Sequence, residues 1–509
     1  MKLNLVFLAA LAGTAAAVPQ AATYLRTEYL VNPLIVATAA PRFSWTLQTT
    51  PGDRGVVQSA YQIVVVSMPA GTTVWDSGKV QSSAQNQVAY AGTALAADST
   101  YGWTVTWWNG ANAQAPVSAM ATFGTAPGDN AAWDTAGAEW IGCTGVAGAN
   151  ANMLRADFVT QPATAGLTVT QARLYVSGIG WHIPFMNGMR ISQSVLEPAF
   201  TNLRMRVLYS AHDVTRLIDT SARGNTFAAY LGHGWPEIFA PWGGNDGRGE
   251  PPWNGTGSSS AIVAPRRADR TALSRMTQAE MEEKIRQGLG HGHTGYERRL
   301  RAWLSVRWSD GSTTRVVSSA PTMGRRLSAS EAPTGFQCGS GPLIADDLYG
   351  GCTYDARLET PGWTAPGFNY STGVWGPAVR IAAPGGVMSP AVSQPVEVVH
   401  ELEPCAMWES TPGAYVFDLC QNFAGTVRLS LPGPTQAGVT ITIRHAEAVM
   451  HPPYGAKDGT LYYGNLRSAE ATDVYTTRGD ARGEFFEPMF TWHGFRCVRV
   501  CAEGVGRVA

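Results

Sequence analysis

Tyr415-Val416-Phe417-Asp418-Leu419-Cys420-Gln421-Asn422-Phe423-Ala424-Gly425 runs into Val427-Arg428-Leu429-Ser430-Leu431. The second run alternates apolar and polar residues, the pattern of a strand with one buried face. Val439-Thr440-Ile441-Thr442-Ile443-Arg444 repeats it. Asn465-Leu466-Arg467-Ser468-Ala469, Ala471-Thr472-Asp473-Val474-Tyr475 and Phe490-Thr491-Trp492-His493-Gly494-Phe495-Arg496 complete the set. Polar residues fall where these strands end: Asp418, Gln421, Asn422, Asn465, Arg467, Asp473, His493 and Arg496. Strand ends of a β-sandwich are where such groups meet a ligand or a neighbour. Asp, Asn and Gly at these places also serve as plain turn formers, and both readings stand at this point.

Composition extends the β reading to the rest of the chain. Of 509 residues, 45% are hydrophobic and only 15% charged, with 56 Gly, 31 Pro and 17 Trp. That balance suits several sandwiches joined by turns rather than helical bundles, and the length suits more than one domain. The predicted class is all-β: three tandem antiparallel β-sandwiches at 24–127, 137–325 and 333–505. A net charge of −1 gives no electrostatic footprint for nucleic acid.

Residues 1–17 read as a secretory signal: Lys2 at the start, an apolar run from Leu3 to Ala12, then Ala15-Ala16-Ala17. The run is too short to span a bilayer, so a secreted, extracellular protein with no membrane partner is expected. Seven cysteines fit an oxidising compartment. Cys497 and Cys501, four apart on one strand, stand roughly 13 Å apart and cannot bridge. A loop bridge between Cys338 and Cys352 is expected instead. Asn254-Gly255-Thr256 and Asn369-Tyr370-Ser371 are acceptor sequons for glycosylation.

In the first predicted sandwich, Trp103, Val105 and Trp107 alternate and are expected in the core. The second is interrupted by an insertion, 239–297. There Thr277-Gln278-Ala279-Glu280 has the form of a capping box opening a helix over 277–288. His291-Gly292-His293 in the same insertion is weak as a metal motif. Asn187-Gly188 predicts a type I′ hairpin turn.

The order of these words resembles glycoside hydrolase family 78, the α-L-rhamnosidases. Trp75-Asp76-Ser77-Gly78 and Tyr101-Gly102-Trp103-Thr104-Val105 resemble its fibronectin-III-like opening module. Glu139-Trp140-Ile141-Gly142, Ala172-Arg173-Leu174-Tyr175-Val176-Ser177-Gly178, Met186-Asn187-Gly188 and Gly232-His233-Gly234-Trp235 resemble its rhamnosidase N-terminal domain. Phe417-Asp418-Leu419-Cys420-Gln421-Asn422, Asn465 to Asp473 and His493-Gly494-Phe495-Arg496 resemble its concanavalin-like domain.

The resemblance implies inverting hydrolysis of terminal α-L-rhamnose from glycosides, by an acid and a base carried on an (α/α)6 barrel. The acid-region word Asp-Cys-Pro-Gln-Arg-Asp-Glu-Arg is absent from these residues. The expectation is therefore the accessory half of such an enzyme, truncated and inactive alone, with no catalytic residue assigned. The alternatives are a carbohydrate-binding scaffold or an adhesion protein. Asp355, Arg357, Gln421, Asn422, Asn465, Arg467, His493 and Arg496 become candidates for contact with a rhamnose-containing glycan or with the barrel. Asp346 and Asp347 are neighbours on a strand, point to opposite faces, and cannot form the facing carboxylate pair of a glycosidase. Some related modules bind rhamnose through calcium, but Asn187 lacks carboxylate neighbours, so no cofactor or metal is assigned.

Overall fold

The computed structural model describes residues 18–50, 53–143, 151–160, 166–235, 298–320, 335–467 and 469–503. The signal-like segment, the insertion with its expected helix at 277–288, His291, His293 and Asn254 all lie outside them. Strand accounts for 48% of the structure and helix for 4%, so the class is all-β as the alternation predicts. The α-helix among the described residues is Asn130–Thr135. The chain divides into two compact units, Met1–Gly128 and Asp129–Ala509.

The first unit is a sandwich of two sheets. One pairs Gln20–Thr27, Arg42–Gln48 and Val88–Ala89. The other is built on Gln58–Met68 and Thr100–Asn109. Trp103, Val105 and Trp107 all project inward with 0% exposure, and Phe43, Ile63 and Phe123 pack around them. Each buried indole still needs an acceptor. Trp103 Nε1 donates to Thr27 Oγ1 (3.1 Å), and Trp107 Nε1 donates to the Gln20 carbonyl (2.8 Å). These rings are core, not a platform for stacking sugars.

The second unit stacks its sheets in layers. Its six-stranded sheet runs in the order Met189–Arg190, Trp181–Met186, Asn225–Gly232, Ala151–Phe158, Gln337–Ser340, Val374–Pro377. One face packs on a seven-stranded sheet built around Arg299–Trp308 and Val169–Ile179. The other face packs on a further seven-stranded sheet, which carries the stretch that opened the sequence reading. The division expected at 325/333 does not follow the strand pairing. Gln337–Ser340 and Val374–Pro377 extend the six-stranded sheet, while Val379–Arg380 and Val387–Pro390 join the sheet beyond it.

The physical cause is a strand with two apolar faces. In Asn225–Gly232 every residue is buried. Phe227, Ala229 and Leu231 face one layer, and Ala228 and Tyr230 face the other. A strand wrapped on both sides reads as a continuous apolar run, as this one does. Pairing is antiparallel except for Arg206–Asp213 with Val387–Pro390 and Gly351–Asp355 with Thr472–Thr476, which are parallel.

The cysteine pairing differs from the expected bridge. Cys338 pairs with Cys143, Cα–Cα 5.4 Å, and Cys405 pairs with Cys420, Cα–Cα 6.1 Å. Cys352 is a buried free thiol packed in the core under the last sheet. Cys338 sits in the middle layer and Cys143 follows a strand of the outer layer, so that bridge joins two sheets rather than closing a loop. Neither Cys497 nor Cys501 forms a disulfide, in agreement with their spacing.

Asn187 and Gly188 have φ of 52° and 86° between Met186 and Met189, which are paired, as a type I′ turn requires. The Asn187 amide is fully used: it donates to the Leu217 carbonyl (2.6 Å) and Asn225 Oδ1 (2.8 Å) and accepts from Thr226 N–H (2.7 Å).

Asp346 and Asp347 do point apart. Asp347 Oδ1 accepts Tyr349 N–H at 2.8 Å and shapes a turn. Asp346 is buried and accepts the His233 N–H at 2.6 Å, with His233 Nδ1 at 3.0 Å and Arg298 Nη1 at 3.6 Å. Burial alone would raise its pKa, yet His233 and Arg298 hold the carboxyl below the usual range. It clamps the segment after the middle-layer strand to the last sheet.

Two substitutions separate the units. Trp107→Ala removes an indole from the first core and is expected to destabilise that unit by about 3–5 kcal/mol in calorimetry. Asp346→Ala removes the buried carboxylate that accepts from His233 and is expected to cost about 3–5 kcal/mol in the second unit, with Asp346→Asn milder. Equal loss from Asp346→Ala and Asp346→Asn would mean that the charge is irrelevant.

Candidate functional site

The candidate residues fall at both ends of one sheet. That sheet runs Leu343–Asp347, Gly351–Asp355, Thr472–Thr476, Thr440–Ala446, His493–Glu503, Ala414–Gly425, Ala406–Thr411. Asp355 pairs beside Thr476, which pairs with Thr440. Ala446 pairs with Cys497, which pairs with Asp418. Asp355 and Arg357 are therefore at one end, and the other candidates at the opposite end, a strand length of roughly 20 Å away.

At the end holding Asp418, the pairing with His493–Glu503 slips between Asp418 and Phe423. Cys420 sits in the slip at φ 60°, held by its disulfide to Cys405. Asp418 forms a two-point pair with Arg496, both bonds 2.8 Å, and accepts Cys420 N–H at 2.7 Å. The Arg496 bond is the main reason its carboxyl lies below the usual range. The slip turns Asn422 toward Glu447, where its Nδ2 donates to Oε1 at 3.2 Å. Asn465, on the short 3-10 turn Gly464–Leu466, donates to the other oxygen of the same carboxylate. Asn422, Glu447, Asn465, Gln421, Arg467 and Arg496 are all exposed. Glu447, one residue past its strand, was not among the sequence candidates; nothing marks it except that fold.

His493 differs from the expectation. It is 4% exposed and turned into the core, against Asp473 and the His445 ring, whose centroid lies 4.1 Å away. Phe495 and Phe423 lid this buried group, their ring centroids 4.6 Å apart, and Phe423 is half-buried. Burial, with His493 alongside, lowers the His445 pKa to about 3, so that ring is neutral.

At the other end, Arg357 pairs with Asp355 at 2.9 and 2.7 Å. A cavity of about 480 Å³ lies alongside, lined by Arg357, Glu359, Arg478, Asp480 and Arg482 among others. Its two carboxylates both hold Arg478, Glu359 at 2.5 Å and Asp480 at 3.0 Å. Backbone N–H of Arg482 and the Arg478 guanidinium keep Asp480 below the usual carboxylate range. Two arginine-bound anions are poor proton donors. Glu484 is caged by Tyr475 (2.7 Å), Thr435, and the N–H groups of Arg478 (2.9 Å) and Gly479 (3.0 Å). Asn369 is exposed, its Oδ1 accepting Ser371 N–H at 3.0 Å.

Comparison with known proteins agrees with this anatomy. Residues 22–129 match the Rha78A-like N-terminal immunoglobulin domain. Residues 167–253 and 280–400 match the alpha-L-rhamnosidase N-terminal domain, and 409–505 match the bacterial alpha-L-rhamnosidase concanavalin-like domain. The chain is 35% identical over 335 residues to an alpha-L-rhamnosidase of Streptomyces avermitilis, covering 65% of this chain and 25% of that protein. It is 28% identical over 483 residues to one from Alteromonas sp. (strain LOR), covering 93% of this chain and 44% of that protein.

Among solved structures, the alpha-L-rhamnosidase of Dictyoglumus thermophilum superposes with TM-score 0.72 at 29% identity, over 96% of this chain and 48% of that one. The Streptomyces avermitilis alpha-L-rhamnosidase complexed with L-rhamnose gives 0.73 at 25% identity, over 96% and 56%. Fold and domain order define a multidomain β-sandwich protein that opens with an immunoglobulin-type module. The chain belongs to the α-L-rhamnosidases of glycoside hydrolase family 78, and corresponds to their N-terminal β-domains. It spans less than half the length of the curated relatives it matches.

Glu484 yields a test of the 478–480 segment that it holds. Burial would raise its pKa, but the bonds from Thr435, Tyr475 and two backbone N–H groups bring it to about 2, below the 4.5 of a free glutamate. A depressed folded-state pKa stabilises fully above the unfolded value, and the gain is lost as pH falls toward about 2. Glu484→Gln is expected to lower stability at pH 7 by about 1.5–3 kcal/mol and to flatten the acid limb of the stability curve. Urea titrations across that pH range read both effects.

Proposed function

We propose that this chain is the β-domain scaffold of a secreted α-L-rhamnosidase, and that these 509 residues do not cleave rhamnosides on their own. The carrying observation is the state of the carboxylates. Inverting cleavage needs an acid and a base roughly 6.5–9.5 Å apart across a pocket for one sugar and one water. Glu359 and Asp480 line the cavity at one sheet end but are neutralised by a shared arginine. At the other end Glu447 is tied by two asparagines and Asp418 is paired with Arg496. Neither place offers an acid and a base with separate roles.

The Asn422–Glu447–Asn465 end is the surface we assign to the family's helical barrel and its rhamnosyl ligand. Its amides hold the carboxylate in place, and Trp492, next to His493, and Tyr454, which packs on Tyr462, stay 40% and 60% exposed. Amides, a fixed carboxylate and aromatic surface are the groups that recognise sugar hydroxyls and C–H faces. The relative solved with L-rhamnose supports the ligand class. The signal-like residues 1–17 and the two disulfides support secretion.

The test is a chromogenic aryl α-L-rhamnoside incubated with the purified chain and with Glu447→Ala. No release above the buffer rate is expected from either. Robust turnover in the parent that disappears in Glu447→Ala would place an active site in the β-domains and overturn the proposal.

A further inference from the structure

His445, Asp473 and His493 come from three adjacent strands and are 0%, 0% and 4% exposed. Their partners settle where the protons sit. His445 Nδ1 lies 3.0 Å from the Ala471 carbonyl, which can only accept. Nδ1 therefore carries the proton, and Nε2 presents a bare lone pair. That Nε2 is buried with no hydrogen-bond partner, and so is Asp473 Oδ2. Two orphaned acceptors aimed into one buried space call for a ligand, because buried polar atoms are otherwise satisfied.

The spacing suits a metal ion. Asp473 Oδ2 lies 3.3 Å from His493 Nε2 and 3.7 Å from His445 Nε2, and all three donor atoms lie within 4.8 Å of one another. Ligands at zinc bond lengths of about 2.0–2.1 Å in a tetrahedron stand roughly 3.3 Å apart. The supporting shell is also built. His445 is oriented by the Ala471 carbonyl, and Asp473 Oδ1 accepts Cys352 N–H at 2.8 Å. Gly351 allows that approach: a Cβ there would stand 2.0 Å from the Thr472 carbonyl oxygen and 2.9 Å from Asp473 Oδ1.

We propose that His445, Asp473 and His493 bind one divalent transition ion of the zinc type, as a structural site in the concanavalin-like domain. Two imidazoles and one carboxylate suit zinc and its neighbours, whereas calcium and magnesium call for oxygen-rich shells. The ion takes the place of the proton between His493 Nε2 and Asp473, which leaves to solvent, and water completes the shell. It links the three central strands directly beneath the Glu447 surface. A second group, His182, Glu197 and His212, is less suited. His182 Nδ1 accepts the Gly178 N–H at 3.2 Å, so its Nε2 holds the proton and has no lone pair to give.

The test strips the full-length protein with a chelator, adds zinc sulfate, removes excess by gel filtration, and measures metal by mass spectrometry with thermal unfolding in parallel. One zinc per chain and a zinc-dependent rise in the midpoint are expected. Asp473→Asn keeps an acceptor for Cys352 N–H but removes the anionic ligand, and His493→Gln removes a nitrogen. Each is expected to weaken retention at least about tenfold and to abolish the midpoint rise. Glu197→Gln should leave both unchanged. No zinc above the buffer blank in the parent, or parent-like retention in both Asp473→Asn and His493→Gln, would overturn the site.

Discussion

The second unit depends on one constraint: its six-stranded sheet has to be covered on both faces. Strand Asn225–Gly232 carries Phe227 and Leu231 on one side and Tyr230 on the other, and neither side tolerates water. The rhamnosidase N-terminal region and the concanavalin-like region therefore pack against each other through that sheet. Close approach enforces the fit. A side chain on Gly232 would meet the Phe490 ring at 2.3 Å.

Arg155 anchors the polar part of that interface. Arg155, with no exposure, donates to the Trp363 carbonyl at 2.8 Å and to Asp157, and lies over the Phe368 and Tyr370 rings. Tyr370 closes the loop on Asp157 at 3.0 Å. A guanidinium in this position is tolerable because both terminal nitrogens are bonded and one bond goes to a carboxylate. It ties the segment 363–370, which precedes the returning strand Val374–Pro377, to the middle layer. Asp346 does the same at the far edge through His233.

This rigidity decides what the last sheet can present. With one face committed to the middle layer, its functional groups are confined to strand ends. Asn422, Glu447 and Asn465 meet at one end because a slipped register and a short turn aim them at one point. The histidines just beneath are sealed in by Phe423 and Phe495. A surface carboxylate and a buried donor cluster thus share one end of the sheet.

Period-2 alternation and low charge determined the all-β class, because a pleated strand sorts its side chains by parity wherever it lies. Local words identified the domains, the Trp103–Trp107 core and the Asn187-Gly188 turn, since each depends on neighbours within a few residues. The end-of-sheet amides Asn422 and Asn465 were legible for the same reason. The Cys143–Cys338 bridge, the sheet covered on both faces, the burial of His493 and the grouping of Glu447 with two asparagines were not. Each joins residues far apart in the chain, and the pleat says that a side chain points to one face without saying what covers that face. Only tertiary packing decides whether a polar residue at a strand end meets water, as Asn465 does, or a second histidine and a carboxylate, as His493 does.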